Sequence, residues 1–319
     1  MVYIFLFLIS FVLTYYIRKI AIEKSLVDIP NERSSHTVAT PHGGGIAIAI
    51  TWFVGISYLF YQNDINSSLY YTLLVGVAIS VVSFYDDLYG LSAKSRLFTQ
   101  SLVAIFGLYM LGGLANIDFY FFSSDNQIFT NIFAFFMIIW FINLYNFLDG
   151  IDGYAGSEAV FLALAGFILF GGSHFLVLIV SVLGFLVWNW HKAKIFMGDV
   201  GSTLLGYNVA IFTLYYANHD AQNLWIWIIL FGVFWYDATL TLYRRYKNSE
   251  KLSLAHKKHA YQRLTQYIFA HDKVVIMAMM VNLLLLSIVY FISNIAIAFF
   301  VSIALLYSTV KYVDNKKEF

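Results

Sequence analysis

Long apolar runs recur along the whole of this 319-residue chain, and they restrict its possible folds more than any other feature. A helix needs about 20 apolar residues to cross the hydrocarbon core of a bilayer. Hydrophobic residues make up 61% of the chain and charged residues 12%, whereas soluble domains are about half apolar and a quarter charged. The runs predict an all-α, polytopic membrane bundle of about eleven spans, near residues 2–17, 44–61, 69–84, 98–114, 128–146, 158–171, 174–190, 202–217, 223–243, 273–291 and 295–312.

The lysines and arginines indicate how the spans are oriented. All 19 basic residues lie in, or at the edges of, alternate connections, and the connections near 62–68, 115–127, 172–173, 218–222 and 292–294 contain none. Cytoplasmic loops are the ones enriched in Lys and Arg. The pattern therefore predicts an external N-terminus, a cytoplasmic C-terminus and a single integral membrane domain over residues 1–319. The chain has no cysteine, which excludes disulfides and thiolate-bound zinc.

Aspartates gather at the predicted cytoplasmic ends of different spans. They are Asp86 and Asp87 in SFYDDLYGLSAKSRL, Asp149 and Asp152 in NLYNFLDGIDGYAG, and Asp199 in KIFMGDVGS. A membrane protein has little reason to collect carboxylates at one surface unless they meet a cation or a phosphate. The pattern indicates a metal-dependent enzyme of phosphoryl-group chemistry at a lipid interface.

Each segment also has a simpler interpretation. An isolated aspartate before a span, such as Asp199, is often a helix cap. The glycines that surround Asp149 and Asp152 could serve helix packing, but packing does not explain the two carboxylates. Asn143 and Asn146 precede them at helical spacing, inside the inner leaflet, where polar side chains are usually functional.

Two further cytoplasmic segments carry weaker signals. The first loop combines Arg33, His36 and His42 with the glycine run 43–45, and exposed backbone N–H groups of this kind suit anion binding. The late loop, residues 244–272, is basic, and helical spacing would put three of its residues on one face. The alternatives for the late loop are a basic helix on the lipid surface and a zinc site, for which a third ligand is missing. The three residues are His256, His259 and Arg263.

In chain order the motifs DD, NxxNxxDGxDG, FMGDxGS and HxxHxxxRL resemble those of the polyprenyl-phosphate N-acetylhexosamine-1-phosphate transferase superfamily, glycosyltransferase family 4. The resemblance covers almost the whole chain. The superfamily includes the lipid I-forming translocase and the enzymes that initiate O-antigen, common-antigen and teichoic-acid chains. The resemblance implies transfer of an N-acetylamino sugar 1-phosphate from a UDP-sugar to undecaprenyl phosphate, with release of UMP. It places the reaction at the cytoplasmic face of a bacterial inner membrane and implies initiation of a cell-surface glycan such as O-antigen.

The resemblance also implies residue roles. Asp86 and Asp87 match the catalytic pair, with Asp86 the candidate for deprotonating the lipid phosphate. That phosphate is already largely dianionic near pH 7, so a positioning role for Asp86 stays open. Mg²⁺, or Mn²⁺ in its place, is implied at Asp199 and Asn146. The implied nucleotide- and substrate-binding residues are Asp149, Asp152, Asn189, Phe196 and Lys94, and the sugar- and phosphate-binding residues are His256, His259 and Arg263.

Two departures from the family pattern concern the sugar specificity and the kink of the ninth span. Related enzymes that use N-acetylglucosamine (GlcNAc) have a late loop resembling DxxHxHHRL, where this chain has HKKHAYQRL. The sugar is therefore predicted to be GlcNAc or a 6-deoxy sugar such as N-acetylfucosamine or N-acetylquinovosamine. Family members also carry Pro-x-x-Asp-Thr in the ninth span, and Phe234 replaces that proline here, which is expected to alter a kink rather than the chemistry.

The alternative function is a secondary transporter of an anionic solute. Transport predicts ionisable residues near the bilayer midplane and repeat symmetry. Here the charges cluster at one surface, with Asp237 as the main exception, and no repeat is visible. The partners expected for the enzyme are undecaprenyl phosphate, a UDP-N-acetylamino sugar and the bilayer, with a second copy of the chain as a candidate and no nucleic acid.

Overall fold

The computed structural model of the protein describes residues 1–30, 38–119, 122–252, 254 and 256–319. These residues form fourteen α-helices and two short antiparallel strand pairs. The strands are β1 (Val27–Asp28) with β2 (Thr40–Pro41), and β3 (Ile117–Phe119) with β4 (Phe122–Ser124). The helices are α1 (Val2–Glu23), α2 (Gly45–Tyr61), α3 (Ser67–Leu74), α4 (Gly76–Tyr89), α5 (Ala93–Leu111), α6 (Gln127–Leu148), α7 (Tyr154–Phe170), α8 (Ser173–Asn189), α9 (Asp199–Ala217), α10 (Gln222–Leu230), α11 (Gly232–Lys247), α12 (Ala260–Ile268), α13 (His271–Phe291) and α14 (Ile295–Lys316).

The all-α prediction is confirmed, and several helices have the length and composition of membrane spans. Five are long and apolar enough to cross a bilayer: α1, the combined α3–α4, α6, α13 and α14. The bent pair α10–α11 raises the number to six, and α2, α7 and α8 are shorter apolar helices. Each predicted apolar run coincides with one helix or one broken pair, whereas eleven crossings and their orientation stay predictions.

Asparagine caps begin three of the helices. Asn66, Asn126 and Asn294 precede α3, α6 and α14. Each side-chain oxygen accepts hydrogen bonds from the backbone N–H groups two and three residues later, at 2.8–3.4 Å. A cap of this kind contributes about 1 kcal/mol to helix stability. All three caps lie in connections that contain no Lys or Arg.

Helix α9 forms the buried centre of the bundle. Nearly all of its residues are buried, and it packs against α2, α4 and α6. Glycines allow the closest approaches, since a Cβ on Gly45 would lie 2.3 Å from Gly201 N, and one on Gly206 would lie 2.7 Å from the Phe141 carbonyl. Because Asp199 is the first residue of this central helix, its position depends on the whole bundle.

A sharp bend separates α10 from α11. The two helices meet at 75°, although no proline is present there. The rings of Phe231 and Phe234 pack on Tyr145, with centroids 6.0 and 5.1 Å away. The bend therefore forms here without a proline at position 234, and aromatic packing against α6 accompanies it.

Candidate active site

Asp87 and Asp199 meet where α4 ends and α9 begins. The backbone N–H of Asp199 donates a hydrogen bond to Asp87 Oδ1 at 3.1 Å. Gly198 precedes Asp199 with φ +77°, and a Cβ there would lie 2.9 Å from Asp87 Oδ2. That Oδ2 is buried and accepts no hydrogen bond from any described residue. A buried carboxylate oxygen without a partner is costly, so this position calls for a cation or a proton.

Asn146 joins the same group from α6. Its Nδ2 donates hydrogen bonds to Asp199 Oδ1 at 2.8 Å and to Ser202 Oγ at 3.0 Å. Asn143, one turn earlier, instead exchanges hydrogen bonds with Gln100 of α5. Of the two predicted inner-leaflet amides, Asn146 reaches the aspartates and Asn143 ties two helices together.

Asp86 pairs with an arginine that the sequence prediction missed. Asp86 Oδ1 accepts a hydrogen bond from Leu91 N at 2.6 Å, and Asp86 Oδ2 lies 3.4 Å from Arg96 Nε. Lys94, which the resemblance implied as a nucleotide- and substrate-binding residue, is exposed and lines neither of the clefts described below. Ser92 caps α5, with Ser92 Oγ accepting from Ser95 N at 3.1 Å, and this start of the helix presents Arg96 to Asp86.

A cleft opens between α4, α5, α6 and α9 beside these residues. This lateral cleft has a volume of about 230 Å³ and is lined by Asp86, Arg96, Asn146 and Asp199. Its rim includes Leu97 and Phe147, whose apolar side chains are 52% and 40% exposed. Charged residues thus form one wall of a cleft whose edge is apolar.

Asp149 adds a further carboxylate at the end of α6. It is the C-cap residue of that helix, and burial, followed by the charges of Asp199, Asp87 and Asp152, raises its pKa to about 7. Mg²⁺ prefers carboxylate and amide oxygens as ligands. The donor chemistry of Asp199, Asn146 and the unpartnered Oδ2 of Asp87 therefore suits a hard divalent cation.

A second cleft lies on the late-loop side of the aspartates. This loop cleft has a volume of about 400 Å³. Phe196 of the FMGD segment, Asp152 and the late-loop residues Lys257, Gln262 and Gln266 all line it. Two lysines (Lys192 and Lys257), two aromatic rings (Phe196 and Phe269) and several hydrogen-bonding side chains thus surround a space large enough for a small organic molecule.

Asp152 is held by groups from separate parts of the chain. Its Oδ2 lies 3.0 Å from His191 Nδ1 and 3.2 Å from His271 Nδ1, and it accepts a hydrogen bond from Ala193 N at 3.2 Å. Burial raises the pKa of Asp152, but the contacts with His271, Ala193 and His191 outweigh burial and lower it. Sequence reasoning missed His191 and His271 because each is an isolated histidine without a recognisable spacing.

Asn189, implied as a uracil contact, lies behind the loop cleft. Its Oδ1 accepts from Gly153 N and its Nδ2 donates to the Ile195 carbonyl, both at 3.0 Å. Asn189 is buried and joins the DGxDG segment to the chain that carries Phe196. Its contacts are therefore those of a structural residue that supports the cleft wall.

The glycine run of the first loop holds the FMGD segment in place. Gly44 N donates to the Phe196 carbonyl at 2.9 Å, and Gly45 N donates to the Met197 carbonyl at 2.8 Å. Two of the N–H groups expected to bind an anion are therefore already used to hold the FMGD segment. Arg33 and His36 lie outside the described residues.

The predicted shared face of His256, His259 and Arg263 is wrong, because α12 begins only at Ala260. Burial, followed by the neighbouring His259 and Arg245, lowers the pKa of His256 to about 4, so it is uncharged near neutral pH. Arg263 is buried and binds the C-terminal segment, with Nη2 2.7 Å from Asp314 Oδ1 and Nη1 2.7 Å from the Lys317 carbonyl. None of the three lines either cleft.

Asp237, the carboxylate that a transporter would place at the midplane, caps α12. Its two carboxylate oxygens accept hydrogen bonds from Ala260 N at 2.7 Å and Tyr261 N at 3.3 Å. Thr241 Oγ1 donates to it as well, at 3.1 Å. These bonds give Asp237 a structural role in positioning the late loop, and they remove the main observation that favoured transport.

Comparison with known proteins identifies one family of relatives. Residues 69–217 match the family described as glycosyl transferase family 4. The chain is 33% identical over 277 residues to a probable undecaprenyl-phosphate N-acetylglucosaminyl 1-phosphate transferase of Bacillus subtilis, covering 82% of this chain and 75% of that protein.

Two more distant relatives have names of the same kind. An undecaprenyl-phosphate alpha-N-acetylglucosaminyl 1-phosphate transferase of Thermotoga maritima is 27% identical, covering 80% of this chain and 79% of that protein. A decaprenyl-phosphate N-acetylglucosaminephosphotransferase of Mycobacterium tuberculosis is 27% identical, covering 83% of this chain and 76% of that protein. In each case the similarity extends over most of both chains.

Proposed function

The chain belongs to the polyprenyl-phosphate N-acetylhexosamine-1-phosphate transferases of glycosyl transferase family 4, and from this premise we propose its reaction. It transfers an N-acetylamino sugar 1-phosphate from a UDP-sugar to undecaprenyl phosphate at the cytoplasmic face of a bacterial inner membrane. An oxygen of the lipid phosphate attacks the β-phosphorus, the bond from that phosphorus to the bridging oxygen breaks, and UMP leaves with the bridging oxygen. The product, undecaprenyl-diphosphate-sugar, would initiate a cell-surface glycan.

One observation carries this proposal: aspartates line two clefts of different character, Asp86 and Asp199 the lateral cleft and Asp152 the loop cleft. The lateral cleft has an apolar rim and the exposed Arg96, which suits a phosphate attached to a lipid. The loop cleft has Lys257 and the aromatic Phe196, which suits a nucleotide diphosphate. A reaction that joins a lipid phosphate to a nucleotide-linked phosphate requires the two substrates to meet beside the groups that bind their phosphates.

Asp199, Asn146 and Asp87 would hold Mg²⁺, or Mn²⁺ in its place. The cation would supply charge neutralisation to the diphosphate as UMP departs. Asp199 and Asn146 are already joined by a hydrogen bond of 2.8 Å, so they form a preorganised pair. The backbone N–H of Asp199 fixes Asp87 beside them.

We propose a positioning role for Asp86. One of its oxygens is taken by Leu91 N and the other faces Arg96, so Asp86 orients the guanidinium toward the lateral cleft. Arg96 can then hold a phosphate through planar, charge-assisted hydrogen bonds. A lipid phosphate that is largely dianionic near pH 7 needs no strong base, which agrees with this division of roles.

A direct assay tests the reaction class. Purified protein is incubated with Mg²⁺, undecaprenyl phosphate and a panel of UDP-sugars, and UMP release and the lipid product are measured. Formation of both in equal amounts is expected for at least one UDP-N-acetylamino sugar. Absence of UMP with every such sugar, in protein shown to be folded, would contradict the proposed function.

The late loop is proposed to select the sugar. The relatives' names specify N-acetylglucosamine, but Tyr261 and Gln262 stand where the related loop pattern has two histidines. Gln262 lines the loop cleft, whereas the ring of Tyr261 stacks on Tyr154 with centroids 4.7 Å apart, and its hydroxyl donates to the Phe147 carbonyl at 3.3 Å. Gln262 is therefore the substitution that can contact the sugar, and Tyr261 supports the cleft from behind.

We expect a higher kcat/KM for UDP-N-acetylfucosamine or UDP-N-acetylquinovosamine than for UDP-GlcNAc. A pocket without a partner for the 6-hydroxyl rejects that added group by only about a hundredfold. Some turnover of UDP-GlcNAc is therefore compatible with a preference for the 6-deoxy sugars. Gln262→His should shift the ratio toward GlcNAc, and Tyr261→His should lower stability without that shift. Equal or greater efficiency of the parent protein with GlcNAc would refute the preference.

The proposed topology places the late loop in the cytoplasm. Lys251 is exposed in that loop and His219 lies in a connection without basic residues. The parent chain has no cysteine, so single Cys variants report on one position each. An impermeant thiol reagent added to intact cells is expected to label His219→Cys and to leave Lys251→Cys unlabelled until the membrane is opened. The reverse pattern would overturn the orientation.

A further inference from the structure

Asp152 is the meeting point of three segments that are distant in sequence. It lies between α6 and α7, His191 follows α8, and His271 is the first residue of α13. The side chains of Asp152 and His271 are about 8–10% exposed and that of His191 is 26% exposed. Such a buried cluster at the edge of the loop cleft is more than the proposed chemistry of the aspartates requires.

The cluster engages the two oxygens of Asp152 unequally. His191, His271 and Ala193 all contact Oδ2, whereas no described residue donates a hydrogen bond to Oδ1. His271 Nδ1 also lies 3.2 Å from the backbone N of Asp152. A protonated Nδ1 would donate to Oδ2 and an unprotonated Nδ1 would accept from the backbone N–H, so either tautomer fixes Asp152. Oδ2 of Asp152 is thus held by three groups, whereas Oδ1 can accept a hydrogen bond from a ligand.

Three residues that line the loop cleft have chemistry complementary to a nucleotide base and its phosphate. Phe196 offers an aromatic face for stacking and Lys257 offers a positive charge, while Asp152 offers an acceptor. The N3–H of uracil is a hydrogen-bond donor, whereas N3 of cytosine is an acceptor. A fixed carboxylate oxygen therefore attracts the first base and repels the second.

We infer that His191 and His271 are positioning residues that hold Asp152 as the acceptor for uracil N3–H and thereby set the base preference of the loop cleft. The inference rests on the proposed function, because it assumes that the nucleotide occupies this cleft. It adds a role for two histidines that contact Asp152 and do not themselves react. A carboxylate that rotates freely would lose part of its preorganisation and hence its discrimination between bases.

Binding of UMP and CMP to the purified protein, measured calorimetrically, tests the inference without requiring turnover. His191→Ala and His271→Ala are each expected to weaken UMP binding about tenfold or more and to change CMP binding less, so that the preference for UMP falls. In turnover assays the KM for the UDP-sugar should rise more than kcat changes. His219→Ala serves as the matched control, because His219 is exposed and its Nδ1 contacts only the local Tyr215 carbonyl among the described residues.

Conservative variants separate positioning from simple loss of packing. Asn places its side-chain nitrogen near the position of the His Nδ1, so His191→Asn and His271→Asn should regain much of the UMP preference that the Ala variants lose. If His271→Ala does not fold, His191→Ala and the two Asn variants carry the test. Unchanged UMP affinity and preference in the folded Ala variants would overturn the inference.

The pH dependence provides a second readout. In the parent protein His271, Ala193 and His191 lower the pKa of Asp152 against the effect of burial. Removing both histidines leaves burial and the nearby Asp149, which raise the pKa of Asp152, against Ala193 N, Lys192 and Lys257, which lower it. Because the two histidine contacts that lower this pKa are gone, the pKa of Asp152 should rise. UMP binding to the double variant should then weaken as the pH falls from about 8 to about 5.5, more steeply than in the parent. Parallel pH profiles would contradict the inference.

The cluster has one competing explanation, and the same proteins decide it. Asp152, His191 and His271 place one potential ligand atom each within 4.8 Å of one another, which would suit a transition metal. Tight Zn²⁺ binding that both Ala variants abolish, with UMP preference unaffected, would overturn the inference in favour of a metal site. A parent protein that neither binds UMP nor releases it would instead refute the proposed function.

Discussion

Replacing Asp199 with Asn is expected to lower UMP release by about a hundred- to a thousandfold while the protein stays folded. The change removes a negative charge at the proposed cation site. The variant keeps an oxygen that can accept the hydrogen bond from Asn146 Nδ2, which is 2.8 Å long in the parent protein. The packing of α6 on α9 should therefore survive. UMP release at saturating Mg²⁺ is the measurement, with helicity and elution profile recorded for the same sample.

The matched control for Asp199→Asn is Asp64→Asn. Asp64 is exposed in the connection between α2 and α3, so the same chemical change there should leave activity unaltered. If the folded Asp199→Asn protein released UMP at a near-normal rate, Asp199 would have to be removed from the proposed site.

Asp87→Asn is expected to cost about a hundredfold in kcat/KM. The amide can still accept the hydrogen bond from Asp199 N through Oδ1, but it replaces the buried, unpartnered Oδ2 with an uncharged group. The loss should therefore fall on catalysis and Mg²⁺ dependence more than on folding. Steady-state kinetics over a Mg²⁺ titration would show it.

Asp118→Asn is the control for Asp87→Asn, because Asp118 is exposed in β3 and far along the chain from the aspartate segments. A folded Asp87→Asn protein with the parent's Mg²⁺ dependence and rate would show that the unpartnered oxygen has no part in the reaction.

The convergence of the aspartates was predictable, whereas their basic partner was not. Apolar runs with charged ends indicated helices whose cytoplasmic ends carry Asp87 and Asp199, and the two are in contact. Lys94 and Arg96 lie in one short loop, so composition could not choose between them. The choice depends on where α5 begins, and Ser92 settles it by capping the helix.

The late loop shows why helical spacing failed as a guide. Its face was predicted on the assumption that the helix includes His256 and His259, but Asp237 provides the cap that starts α12 at Ala260. Asp237 lies in another helix, so its part in this boundary is not visible in the local sequence. The local signal is Gln262, whose Oε1 accepts a hydrogen bond from His259 N at 3.4 Å. The histidine contacts of Asp152 were likewise invisible, because they join residues that only the tertiary fold brings together.

The distances along the chain between the site's parts affect how the protein is made. Asp87 meets Asp199, and Asp152 meets His271, so no part of the site is complete when its first member leaves the ribosome. At about 5–20 residues per second, synthesis takes roughly ten seconds to travel from Asp87 to Asp199, and several seconds more to reach His271. The proposed cation site therefore cannot form before the start of α9 has been synthesised, and a chain that stops earlier contains Asp87 without the Asp199 backbone N–H that holds it.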